Sequence, residues 1–344
     1  MCMMALVVAS CSSQRCILVK AGDANSLLAA IEKANSINAD SLSKRLYVLI
    51  PNGVYDLGDI VLTPIRGHNV ALVGQSTEGT IIVNKPKVEN EGIGTTAVLL
   101  NHGHNTYVQD LTLKNALDYY HSGAAGRAVC WQDKGQRTLF KRVRMLSYQD
   151  TYYSYVEDSQ HYFEDSEIHG TVDFICGAGD VFFNRCLIVT EKRNADGSGV
   201  NVIAAPRTAA TNWGFVFNGC TIRNDMSTFH FARGWHTHPR CTWVNTVLES
   251  PMKLEKDRFQ PQSIRSEDCE FGEYGTKDPQ GNSLTPASNV ITLKGKTGTK
   301  TVQTTLTADA ASRFTVANVF PLWRPDLMVK ELEKKCQRWA RKYF

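Results

Sequence analysis

Along most of the chain, apolar positions recur in short alternating bursts, and the bursts resemble one another. They read VQDLTL from Val108, FKRVRM from Phe140, FEDSEI from Phe163, FNRCLI from Phe183, FNGCTI from Phe217, WVNTVL from Trp243 and SEDCEF from Ser266. Alternation over so few residues is the signature of a strand with one buried face. Successive starts lie roughly 20 to 34 residues apart, a period at which each repeat forms one supersecondary unit of a solenoid. The intervals carry no helical pattern, so the chain is expected to be all-β, a single parallel β-helix whose like positions stack from turn to turn. Two stretches break the pattern with helical spacing. Asn25 to Ala34 is expected to cap the coil at its N-terminal end, and Pro325 to Phe344, with Leu327, Val329, Leu332, Trp339 and Ala340, to form a helical tail along its side.

Composition narrows this little. The 344 residues are 42% hydrophobic and 21% charged, with a net charge of +4, ordinary for a folded globular chain. No basic stripe accompanies that charge, so nucleic acid is not an expected partner. Ten cysteines are dispersed without a CxxC pair, and Cys186, Cys220 and Cys269 occupy similar places in the repeat, which predicts small buried residues stacked on one another. Near the start, a short apolar run leads into Val8-Ala9-Ser10-Cys11, the small-residue-then-Cys form of a bacterial lipoprotein cleavage site. Residues 1–16 are therefore expected to be an export signal or anchor segment with lipid on Cys11, and residues 17–344 the β-helix. The expected location is outside the cytoplasm: periplasmic, on the outer membrane or extracellular. A monomer is expected.

Candidate chemistry concentrates in SYQDTYYSYVEDSQHYFEDSEIHGTVDFICG, residues 147–177. Asp150 ends an apolar run, and Asp173 stands among Val172, Phe174 and Ile175. Burying an isolated carboxylate is costly, so each acid should shift its pKa, find a cation or stay unburied. An arginine can hold one acid ionised, because it stays protonated at every relevant pH. A second acid close to the first would then keep its proton.

Three stretches carry a family resemblance: Tyr148-Gln149-Asp150-Thr151, Gly170-Thr171-Val172-Asp173-Phe174-Ile175-Cys176-Gly177, and Phe231-Ala232-Arg233-Gly234-Trp235. In order and relative spacing they resemble the QDT, GTVDFIFG and LGRPW signatures of pectin methylesterases. Pro51-Asn52-Gly53-Val54-Tyr55 is similar to that family's GxY turn, and the resemblance extends from about Asp23 to Leu322. It implies a right-handed parallel β-helix that hydrolyses the methyl ester on galacturonate C6 of pectin without metal or other cofactor. By position, it implies Asp173 as nucleophile, Asp150 as general acid and then base, Gln149 as oxyanion donor and Arg233 as ion-pair partner of Asp173. Trp235, Arg127 and Phe174 are expected to touch substrate.

The departures bear on substrate more than on reaction. Arg127 stands in Gly126-Arg127-Ala128-Val129-Cys130-Trp131, where the family has a Gln that helps form the oxyanion hole. An arginine there could stabilise an oxyanion or grip a substrate carboxylate. Gln132 lies nearby, on the face expected for Cys130. Gly234 replaces a Pro before the Trp, which frees the local backbone. No GxSxG elbow is present. The pairs His102 with His104 and His236 with His238 lack the further ligands of a metal site and are expected to be surface histidines. Two alternatives differ in class: an esterase or thioesterase acting on another acyl compound, and a carbohydrate-binding β-helix without activity.

Overall fold

The computed structural model describes residues 15–208, 212–224, 226–235, 238–260, 269–294 and 299–344. Its strands wind into a right-handed parallel β-helix, three strands to a turn. A first face runs through Cys16–Leu18, Leu46–Ile50, Val70–Gly74, Tyr107–Asn115, Thr138–Leu146, Gln160–Glu164, Asp180–Asn184, Phe215–Asn218, Arg240–Val244 and Glu270–Tyr274. The long strands Tyr107–Asn115 and Thr138–Leu146 bend onto a second face and continue through Glu167–Gly170, Leu187–Thr190 and Thr221–Asn224. The third face holds Trp131–Asp133, Tyr152–Ser154, Val172–Gly177, Val200–Pro206 and Thr228–Arg233 in parallel register.

Stacking of the repeats explains why they recur. Pairing sets Phe140 beside Phe163, Phe163 beside Phe183, Phe183 beside Phe217, and Phe217 beside Trp243. The rings lie face to face at 4.1, 4.8, 4.4 and 3.7 Å between centroids, and each buried pair adds about 0.5–1.5 kcal/mol beyond its area. The last repeat departs from this column. Trp243 pairs with Glu273, and Phe271 pairs with Cys241, because the rung there is FGEYG; Ser266, Glu267 and Asp268 lie outside the described residues. The cysteine stack is likewise shorter than expected. Cys186 and Cys220 are neighbours in the core, whereas Cys269 stands before its strand, in another column.

The first corner has an unusual backbone. Asp110, Arg142, Asp165 and Arg185 occupy corresponding places on successive turns, all with φ between 49° and 54°. Left-handed residues other than glycine are uncommon, and here the column alternates in sign. Arg142 Nε donates to Asp110 at 2.6 Å and Arg185 Nε to Asp165 at 3.0 Å. Beside them Lys141 Nζ bridges Glu164 at 2.7 Å and Asp165 at 2.6 Å. Burial works to raise both carboxyls, and Lys141 and Arg185, with the Tyr162 hydroxyl on Glu164, together more than offset it, so both sit below their ordinary values.

The two helices fall where the spacing predicts, with longer bounds. Ala24–Ile37 is capped by Asp23, whose side chain accepts from Ser26 N, and its Leu27, Ala30, Ile31 and Ala34 enter the end of the core. Pro325–Tyr343 buries Val329, Leu332 and Cys336 against the outside of the first face, where Tyr47, Tyr107, Leu139, Tyr162 and Phe182 wait in a row. Leu327 points to solvent instead.

Candidate active site

The third face turns toward a cleft of about 270 Å³ lined by Ile93, Arg127, Gln149, Asp150, Asp173, Cys176, Arg233, Gly234 and Trp235. Asp150 and Asp173 stand two residues before Tyr152 and Ile175, which pair with each other, so consecutive turns present the two acids one above the other. Both have left-handed backbones, with φ of 59° and 51°. Asp tolerates that region better than most residues, and the conformation turns each side chain out of its strand. Backbone strain of this kind gathers at functional sites.

GTVDFICG also depends on glycine. A Cβ on Gly170 would lie 2.1 Å from the Cβ of Phe174, and one on Gly177, at φ 115°, would lie 1.9 Å from Ser154 O. Only hydrogen fits at either end, so the segment carrying Asp173 is clamped on both sides.

The two acids differ in environment. Asp173 receives the Arg233 fork, Nε at 2.8 Å and Nη2 at 2.5 Å. Burial raises its carboxyl above the ordinary value, and Arg233 pulls it part of the way back. Its side chain retains 16% exposure at the cleft, and the two-pronged bond makes it the more acidic of the pair. Asp150, only 4% exposed, has no such fork. Burial and then the anionic Asp173 push it well above the usual carboxylate range, against the smaller pull of Arg127 and Arg233. One cleft therefore holds an acid favoured as the anion and an acid favoured as the proton carrier, the combination that nucleophilic attack with leaving-group protonation requires.

A family model described as Pectinesterase matches residues 17–319. The chain belongs to the pectinesterase family. Among solved structures, the pectin methylesterase PemA from Erwinia chrysanthemi superposes with a TM-score of 0.66 at 23% identity, covering 86% of this chain and 93% of that one. The pectin methylesterase from Yersinia enterocolitica gives 0.66 at 21% identity, covering 86% and 99%. A probable pectinesterase from Arabidopsis thaliana, number 50, is 25% identical over 269 residues, 74% of this chain and 72% of its own.

Within this pectinesterase scaffold, most residues singled out in the sequence come together. Gln149 lines the cleft, and its backbone bridges to that of Arg127 on the preceding turn. Trp235 forms a wall with Tyr153 at 6.1 Å, and the Arg207 guanidinium lies 5.7 Å over its ring. Tyr155 extends this rim, with Arg207 and Lys134 each near its ring, at 5.4 and 5.2 Å. Phe174 is the exception. It is fully buried in the coil's interior, because the backbone that turns Asp173 outward sends the next side chain in, and it cannot touch substrate.

Gln132 also differs from expectation. Cys130 and Trp131 both enter the core, interrupting the alternation, so Gln132 stands instead in an outer column with Tyr153 and Cys176. His104 stacks on His68 at 4.7 Å, His236 lies outside the described residues, and no cluster of three metal-ligating side chains occurs among those described.

Sequence reasoning missed Glu91. Its carboxylate accepts from Arg127 N at 2.9 Å, Nε at 3.0 Å and Nη2 at 2.7 Å, which holds it below its ordinary value. The segment EGIGTT that carries it has no repeat register of its own. The one available signal was the unmatched arginine at position 127, which demands a carboxylate when partly buried.

Proposed function

We propose that this chain hydrolyses the methyl esters of galacturonate in pectin to pectate and methanol, with Asp173 as nucleophile and Asp150 as acid and base. The observation that carries this reading is the unequal pair: an arginine-bound Asp173 facing the same cleft as a buried, proton-holding Asp150. Family membership supports the substrate class. Asp173 attacks the ester carbonyl carbon, and the electron pair moves onto the carbonyl oxygen, where Gln149 and Arg127 supply donors. Removing such a donor typically costs about 100- to 1000-fold in rate. Collapse expels methoxide, which takes the proton of Asp150 and leaves as methanol. Asp150, now a carboxylate, deprotonates a water that attacks the acyl-enzyme, regenerating the Asp173 carboxylate and releasing the free acid. Trp235 supplies an apolar wall for a sugar ring.

We assign the residues ahead of the first strand as a leader lipidated at Cys11, Cys16 itself pairing with Tyr47 in the coil, and the remainder as one catalytic unit acting as a monomer outside the cytoplasm, where a plant polymer is accessible. Residues 1–14 lie outside the described residues, and the support is the Val8-Ala9-Ser10-Cys11 pattern.

Methanol release from highly methylated pectin by the purified protein, beside Asp173→Ala, tests the reaction. Methanol from the first and none from the second is expected. Absence of methanol from folded protein would sink the pectin assignment.

A further inference from the structure

Glu91, bonded to Arg127 of the cleft lining, is a charged residue that the reaction above leaves without a task. It follows the short turn Val88–Asn90 and has a side chain only 9% exposed. Three donors of Arg127 converge on its two oxygens, two from the guanidinium and one from the backbone of the same residue. Gly92 N donates to Arg127 O at 3.4 Å, and the Thr96 hydroxyl lies 3.2 Å from the same oxygen. Segment 91–96 thus grips Arg127 by both backbone and side chain. The fork consumes Nε and one edge of Nη2, and the Nη1 donors are not used by this pair.

A carboxylate placed there resolves a conflict. An arginine brings strong, correctly shaped donors to a developing oxyanion. It also brings a full charge, and a full charge beside Asp150 favours the carboxylate and so discourages the acid from keeping its proton. A neutral amide would create no such conflict; an arginine needs an anion behind it.

We propose that Glu91 is a positioning residue for the esterase reaction: it fixes the Arg127 guanidinium at the cleft and offsets its charge, so that a cationic donor and a protonated Asp150 coexist. This rests on the reading of Asp150 as the acid. The groups facing Asp150 are Asp173 and Arg233 from the third face, Arg127 with Glu91 behind it, and the Cys176 and Tyr153 side chains, both kept neutral because burial pushes the thiol far up and the phenol to about 12. Asp173 and Glu91 act to keep the proton on Asp150, while Arg127 and Arg233 act to remove it.

The signs of the variants follow. Glu91→Gln removes an anion and leaves Arg127 uncompensated, so Asp150 should lose its proton earlier and the alkaline limb of the pH–rate profile should move to lower pH, by about one unit. Arg127→Gln should move the same limb to higher pH, because Glu91 then acts alone. The double variant should return it toward the parent. A merely structural role would lower activity or melting temperature without opposite displacements of one limb.

The test uses the full chain and two readouts: methanol release against pH, and titration of Asp150 by NMR of protein labelled with ¹³C at the aspartate carboxyls, assigned with Asp150→Asn. Opposite shifts in Glu91→Gln and Arg127→Gln are expected in both. An unchanged titration, or shifts in the same direction, overturns the proposal. If the parent releases no methanol, the pectin reading fails while the NMR titration still decides the role of Glu91. If Glu91→Gln does not fold, Arg127→Gln decides: an upward shift supports the pairing and no shift refutes it.

Discussion

The corner between the first two faces and the edge of the cleft use the same part, a charged residue held at positive φ on successive turns, and they treat charge in opposite ways. At the corner, Asp110, Arg142, Asp165 and Arg185 alternate. Each acid there has a basic residue bonded to it, and Lys141 binds a third carboxylate, Glu164, so Glu164 and Asp165 lie below their ordinary values. At the cleft, Asp150 and Asp173 follow each other directly with one forked arginine, bound to Asp173, and Arg127, the second cation, is largely spent on Glu91. The coil can therefore neutralise stacked acids and does so where only stability is at stake. At the cleft it leaves one acid short of a counter-charge, and that shortage keeps a proton in place.

The largest expected effect removes the one ionised member of the cleft pair. Asp173→Asn should lower methanol release by about a thousandfold or more, some 4 kcal/mol in transition-state stabilisation, with circular dichroism unchanged. Retained activity would dissolve the functional half of the comparison. Next is the corner. Lys141→Met takes the nearer of two cations from Glu164, whose side chain is 8% exposed, leaving Arg185 at 3.4 Å, and should lower the unfolding free energy by up to about 3 kcal/mol. Specific activity per folded molecule should stay the same, as denaturant melts beside kinetics would show.

Asp150→Asn should separate the two roles within one residue. Its carboxyl is lifted in the folded state, so folding binds its proton more tightly, and stability is lost as pH rises from the ordinary carboxylate range toward the lifted value. The Asn variant should therefore be inactive yet melt higher than the parent at pH 7 to 8, with the difference closing toward about pH 4. A lower melting temperature at every pH would contradict the frustration of this acid. The smallest effect is expected at Asp180, which accepts from Trp213 N at 2.7 Å and Gly214 N at 2.9 Å through a single oxygen. Burial, partly offset by these bonds, raises it to about 6. Asn can keep both bonds, so Asp180→Asn should add on the order of 1 kcal/mol above pH 6, discounted for partial exposure. Urea titration at pH 5 and pH 8 would reveal it.

How far the sequence announces this molecule follows from what each feature depends on. The aromatic column from Phe140 to Trp243 was legible because stacking imposes the same residue type at each turn. It failed at Glu273, where the ladder ends and the demand lapses. Asp173 and Arg233, 60 residues apart in the chain, were legible through motif resemblance and through the cost of an acid in an apolar strand. Phe174 was misplaced because alternation presumes a regular strand, and a left-handed residue before it changes the side on which the next one emerges. Cys130 and Trp131 also defeat alternation, both entering the core, and carry Gln132 with them. Glu91 was invisible for another reason. Its partner lies 36 positions away, in a segment with no repeat to fix its register, and pairing between loops leaves no periodic trace.

Helix Pro325–Tyr343 covers residues drawn from many turns, from Tyr47 to Phe182, and it follows every strand in chain order. During synthesis, then, the rungs are made while the surface that this helix will cover is still bare, a band of Tyr, Leu and Phe side chains open to any other apolar chain. Docking of the helix is what closes that band. Whatever delays this helix also delays the moment at which the coil's outer wall becomes safe from its neighbours.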